Sequence, residues 1–259
     1  MIDEGNRVWL LDVPVDRLSV RRGMDRVVVW LSRGKTGSHC RLILTPNPEV
    51  IMEARQSAAL LTLLQSADLA LADGVGVVWA LRHCGMGRTE RVPGVEFMYA
   101  LLSMAALRGH SVYFLGATPD VLPSAVNRAR ALWPNLSVAG FRDGYYPLEA
   151  EPDVVLAIAE ARPDILIVGM GSAKQHALLA RHAHRLPVVV AMAVGGALDV
   201  LADEHKRAPR LWRSAGLEWL WRLGREPWRW RRQIALPRFA FTVLRLGRRA
   251  VSLVPPTRS

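Results

Sequence analysis

Six apolar runs of strand length, separated by segments of helical period, leave this chain few folds to adopt. The runs fall at residues 41–44, 69–72, 112–115, 137–139, 165–168 and 188–191. Several are continuously apolar, as strands covered on both faces must be. Helix starts are marked between them. Asn47-Pro48-Glu49 supplies an N-cap, a first-turn proline and an acid that complements the helix dipole. Pro119-Asp120 and Pro152-Asp153 open two more helices. This alternation predicts an α/β fold, a Rossmann-like parallel sheet with helices on both faces. At 259 residues there is room for one sizeable core and an appendage. We place the α/β catalytic domain at residues 1–205 and the appendage at 206–259.

Charge sets the appendage apart. The chain is +11, yet residues 206–259 hold one Lys and thirteen Arg against two Glu, a net of +12, which leaves −1 for the first 205. Five of the nine tryptophans (Trp212, Trp219, Trp221, Trp228 and Trp230) lie among those arginines. Beyond Pro237 a last helix is expected to place Arg238, Arg245, Arg248 and Arg249 on one side. Phe239, Val243, Leu246, Ala250 and Leu253 fall on another, the pattern of a basic amphipathic helix that lies on a membrane. The longest run without charge, residues 186–198, is too short to span a bilayer, which takes about 20 apolar residues. The N-terminus lacks a signal-peptide layout, and Cys40 and Cys84 have neither disulfide-framework nor zinc spacing. The expected location is cytoplasmic, peripheral on the inner face of the plasma membrane.

Polar residues cluster where strands end. The first run closes on Thr45 and Asn47, the second on Asp73-Gly74. In an open parallel sheet the side chains just past the strand C-termini converge on one crevice. A carboxylate there is a candidate general base, and short hydroxyl and amide groups orient a ligand. Each residue also has a plainer role: Asn47 as an N-cap, Asp73 as a helix cap, Arg91 as a surface arginine. Gly116 and Gly195-Gly196 follow later strands, where glycine lets a ligand approach the backbone. Asp199, one turn further, either orients a ligand hydroxyl or caps. His182 and His184 read as surface residues, and no histidine has metal-ligand spacing.

The strings TPNPEVIMEA, DGVGVVWALR, ERVPG, FLGA, GSAKQ, VGGALDVLA, KRAP and GLEWLWRL occur in the order found in the WecG/TagA/CpsF glycosyltransferase family, which the chain resembles from about Val27 to about Arg238. The resemblance implies that Asp73 is the catalytic base, with Thr45 and Asn47 beside it. It implies that Arg91 contacts a phosphate or sugar and that Gln175 contacts the ligand, with Gly116, Gly196 and Asp199 in the same site. Relatives use C-terminal arginines on the leaving diphosphate, which points to Arg207, Arg222, Arg229 and Arg232. Arginine suits that work because its planar fork binds phosphate oxygens in pairs. The chain departs from the pattern at Ala72 and Ala173, where relatives carry proline, and at His176, where they carry glutamate.

The function this implies is an inverting hexosyltransferase that needs no metal and no cofactor. The chain has no Asp-x-Asp motif to hold a divalent ion on a diphosphate. The donor would be UDP-N-acetylmannosamine, its uronate or UDP-glucose. The acceptor would be a polyprenyl-diphosphate-linked sugar, in surface or exopolysaccharide assembly. An anionic membrane surface is the expected partner of the tail, at about 1 kcal/mol per basic residue. Relatives can self-associate, so a homo-oligomer is also among the expected partners. Two other classes stay open: a catalytically degenerate sugar-nucleotide-binding subunit, marked by His176, and a nucleic-acid-binding protein using the basic tail. The segregated faces of the last helix favour a bilayer over nucleic acid.

Overall fold

Side chains alternate along each strand and sort the core into two layers. In β3 (Arg41–Leu44), Leu42 and Leu44 enter one layer and Ile43 the other. In β7 (Ile165–Gly169), Leu166 and Val168 face the first layer, Ile165 and Ile167 the second. The computed structural model describes residues 6–35, 40–204, 208–209, 212, 218–225 and 230–256, except the side chains of residues 218, 219, 222, 225, 231 and 232. The remaining strands of the main sheet are β4 (Leu69–Ala70), β5 (Ser111–Gly116), β6 (Ser137–Arg142) and β8 (Val190–Ala193). All pairings are parallel, in the order β4-β3-β8-β7-β5-β6. The first layer is covered by α2 (Pro48–Ala54), α3 (Ala58–Gln65), α4 (Val75–His83), α7 (Glu151–Ala161) and α8 (Ser172–His182). The second is covered by α1 (Val20–Ser32), α5 (Gly94–Arg108), α6 (Val121–Leu132) and α9 (Ala197–Ala202). The expected α/β fold, a parallel sheet with helices on both faces, is the one observed.

Three strands depart from the expected ranges by two residues or more. β4 stops at Ala70 instead of residue 72, Leu71 making only an isolated bridge to Asp16. β6 runs on to Arg142 because it is an edge strand whose half-exposed residues give no apolar run. β8 begins two residues later than expected, because Val189 and Val190 first donate their N–H groups to the Asp164 carbonyl.

An N-terminal hairpin, β1 (Arg7–Leu10) and β2 (Val13–Asp16), was not expected. Its turn residues Leu11 and Asp12 both have positive φ, 50° and 68°. The sequence there lacks the glycine or Asn-Gly that usually marks such a turn. Asp16, buried at the hairpin's end, accepts from Arg7 Nε (2.9 Å) and Nη2 (2.7 Å) and from the Ala70 N–H (2.8 Å). That knot fixes the hairpin to β4, three residues before Asp73. His182 also differs from its expected surface role: its Nε2 lies 2.8 Å from the buried carboxylate of Glu151, which Arg181 pairs from the other side.

The C-terminal helix (Ala235–Leu246) corrects the expected membrane face. Phe239, Val243 and Ala250, three of the five residues assigned to the bilayer side, are buried in the first core layer, where the helix packs on α2 and α4. Its outer face instead carries exposed Ile234, Phe241 and Leu244 among Arg238, Arg245 and Arg248. Just beyond, β9 (Val251–Ser252) pairs antiparallel with β1. The far end of the 206–259 segment therefore rejoins the body. Among the described residues no helix is long and apolar enough to cross a membrane.

Candidate active site

The C-terminal ends of the main-sheet strands open on one cavity of about 850 Å³, within the size range of small-molecule sites. Chain connections leave β5 and β7 in opposite directions across the sheet, the switch point at which such sheets bind ligands.

One wall is built of side chains. Thr45 follows β3, and α5 begins against it: a Cβ added at Gly94 would lie 3.3 Å from Thr45 Cγ2. Asn47 caps α2, its Oδ1 accepting from the Val50 N–H at 3.0 Å. Gly76 allows α4 to start against Pro48, since a Cβ there would come within 2.6 Å of Pro48 Cγ. Asp73 is thereby held next to the Asn47-Pro48 corner. The Val92 N–H donates to the Ala72 carbonyl at 3.0 Å and lays residues 91–93 beside Asp73. Thr45, Asn47, Asp73 and Arg91 all line the cavity.

The opposite wall brings glycine backbone to the cavity at Gly144, Gly169, Gly171, Gly195 and Gly196, beside Ala117, Thr118, Ser172 and Gln175. Gly116, expected in this wall, lies just behind it. Its φ is +134°, and a Cβ would come within 2.2 Å of the Gly169 carbonyl oxygen, so its bareness lets β5 and β7 close up while Ala117 and Thr118 face the cavity. Gln175 is buried with its Oε1 accepting from the Gly195 N–H at 2.9 Å, which orients the amide. Asp199 lines the cavity from the first turn of α9.

Lys174 is not a free cation for a ligand. Its Nζ donates to the Gly144 carbonyl (2.6 Å) and the Tyr146 carbonyl (3.0 Å), and sits 4.0 Å from the Tyr146 ring centroid. It clamps the loop after β6 that carries Tyr145, a 73% exposed aromatic at the cavity lip. Burial pushes the Tyr146 phenol up to about 12, and its hydroxyl donates to Met170 Sδ at 3.4 Å. His176 is also buried, and desolvation lowers it to about 4, so it stands in the wall as a neutral imidazole with Nδ1 3.3 Å from Ser172 Oγ.

Sequence reasoning missed the Tyr145-Tyr146 loop, although RDGYYP has the Asp-Gly-after-a-strand signal that singled out Asp73. It also missed Gln233 and Leu236, which bring the C-terminal segment to the cavity; Gln233 Nε2 reaches Glu49 Oε1 at 3.4 Å. Arg207 and Arg229, and the side chains of Arg222 and Arg232, lie outside the described residues. Among the described residues, no group of three or more His, Cys, Asp or Glu side chains is placed to hold a metal ion.

The model of the glycosyl transferase WecG/TagA/CpsF family matches residues 8–252. The chain is similar to N-acetylglucosaminyldiphosphoundecaprenol N-acetyl-beta-D-mannosaminyltransferases. It is 32% identical over 243 residues to that of Staphylococcus aureus strain MW2, covering 94% of each chain. It is 33% identical over 204 residues to that of Bacillus subtilis strain 168, covering 79% of each. For the protein of Bacillus spizizenii strain W23 the identity is 34% over 203 residues, 78% of each.

Proposed function

The chain belongs to the WecG/TagA/CpsF glycosyl transferase family and is a hexosyltransferase; from that premise we propose that it moves a sugar from a UDP-sugar to a polyprenyl-diphosphate-linked N-acetylglucosamine, with inversion and without a metal ion. The relatives' names supply the acceptor class and make UDP-N-acetylmannosamine the first donor to test, with its uronate and UDP-glucose behind it. The observation that carries the reading is the pairing of walls: Asp73 stands with Thr45, Asn47 and Arg91 across one cavity from a glycine-lined wall that holds Gln175.

In this reading the acceptor hydroxyl attacks the anomeric carbon, and the bond from that carbon to the UDP oxygen breaks with its electron pair leaving on the diphosphate. Asp73 takes the hydroxyl proton. It needs to be ionised and within hydrogen-bond reach of the attacking oxygen. Thr45 and Asn47 hold the reacting sugar, and Arg91 contacts phosphate or sugar. The backbone wall admits the nucleotide closely, with Gln175 and Asp199 as its side-chain contacts. Charge gathering on the departing diphosphate is met by Arg207, Arg222, Arg229 and Arg232, whose guanidinium groups do what a cation does elsewhere. Gln233 and Leu236 at the cavity support a C-terminal segment that covers the site. Arginines on the outer face of the last helix suit attachment to an anionic membrane, where the acceptor resides.

The test supplies purified protein with anionic vesicles carrying polyprenyl-diphosphate N-acetylglucosamine, screens a panel of UDP-sugars and measures UDP release. Acceptor-dependent release from at least one UDP-hexose is expected. Release that never depends on the acceptor would contradict the reading.

A further inference from the structure

The active-site cavity does not end abruptly at α4. Val75, in the first turn of that helix, lines the cavity and is 40% exposed. One turn on, Trp79 is 38% exposed, and its ring stacks on that of exposed His83 at 5.5 Å and 15° between planes. These residues stand four apart and form one row leading away from the cavity along a helix about 13 Å long.

The C-terminal helix packs on the same helix, α4. It starts at the cavity with Leu236 and ends beside α4, where Cys84 Sγ donates to the Gly247 carbonyl at 3.2 Å. Its outer face adds exposed Ile234, Phe241 and Leu244. Neither helix contains an acidic residue, while Arg82, Arg238 and Arg245 are exposed on them. An apolar, acid-free strip that is continuous with a sugar-transfer site matches one substrate feature: a hydrocarbon chain joined to the reacting sugar through an anionic diphosphate.

We propose that the Val75–Trp79–His83 row of α4, together with the outer face of the C-terminal helix, is the track on which the first isoprene units of the acceptor lie as the chain leaves the cavity. The proposal rests on the functional reading above and adds a chain-binding subsite to it. Trp79 is the largest side chain of the row, and the stacked imidazole of His83 holds the indole flat toward the chain.

The test uses the full-length protein without vesicles or detergent. Soluble acceptors carry N-acetylglucosamine diphosphate on one, two or three isoprene units, with UDP-N-acetylmannosamine or the best donor from the panel. For the wild type, kcat/KM rises with chain length. Trp79→Ala flattens that rise, to about tenfold below wild type on the longest acceptor, and matches wild type on the shortest. Trp79→Phe restores most of the slope. Rates on the shortest acceptor serve as the folding control. An equal fall at every length, or none at any, overturns the track. A slope left intact, with Trp79→Ala binding anionic vesicles more weakly in a separate sedimentation assay, assigns the row to the bilayer and overturns it as well. A wild-type protein inert toward all three lengths sinks the functional reading itself, whereas ladder failure with turnover intact sinks only the track.

Discussion

The two walls of the cavity are made of different material. The β3/β4 side presents side chains: a hydroxyl, an amide, a carboxylate and a guanidinium from Thr45, Asn47, Asp73 and Arg91. The β5/β7/β8 side brings glycine backbone to the surface at Gly144, Gly169, Gly171, Gly195 and Gly196, set among Lys174, Gln175 and the buried His176, which line the same cavity. Reactive groups must be placed one by one, whereas a nucleotide diphosphate is held by close approach and many N–H groups. In the proposed reaction proton transfer belongs to the first wall and donor binding to the second, and each proposed role can be broken separately.

The largest effect belongs to Asp73. Asp73→Ala is expected to lower kcat by about 10²–10⁴-fold while leaving the donor KM nearly unchanged, read from steady-state UDP release. A loss seen mainly in KM would move Asp73 to the binding wall. Next comes Gly116→Ala, which puts a methyl group 2.2 Å from a carbonyl oxygen at positive φ. A destabilisation of about 3 kcal/mol is expected in urea unfolding; an unchanged midpoint would mean that β5 and β7 do not close up as described.

His176 sharpens the comparison through pH. Its folded-state value, about 4, lies below the ordinary 6.5, so the unfolded chain binds the extra proton first as pH falls. The stabilisation is complete above 6.5 and drains away toward 4, on the order of 2 kcal/mol by pH ~4.5. His176→Gln should flatten that part of the stability-versus-pH curve, and a curve identical to wild type would place the imidazole in water. The smallest effect is expected from Lys174→Met, which frees the loop carrying Tyr145. The donor KM should rise about tenfold with kcat held, seen in donor titrations. A fall in kcat alone would put Lys174 with the reactive wall.

The side-chain wall was legible in the sequence because its residues sit directly after apolar strands, where chemistry and position coincide. Asn47 was read two ways, as cap and as site residue; the structure shows the cap, with the residue lining the cavity. The backbone wall was legible only in part: glycine reports that something comes close, but not from which side, and so Gly116 was placed one residue too far forward. The hairpin escaped because its turn uses Leu11 and Asp12 where glycine or asparagine would announce it. The last helix misled for another reason. A helical apolar row shows that a face is covered, not by what, and Phe239 and Val243 turned out to be covered by α2 and α4. Its opposite face mixes Phe241 and Leu244 with arginines and shows no clean period.

The central claim is that Asp73 and guanidinium groups suffice for sugar transfer with no metal ion, and one assay addresses it: UDP release by the wild-type protein with donor and lipid-linked acceptor, in excess EDTA, beside Asp73→Asn under the same conditions. Full wild-type turnover in EDTA, with the variant at least about a hundredfold slower, is the expected result. Turnover extinguished by EDTA and restored by a divalent cation, or a variant as fast as wild type, would contradict it.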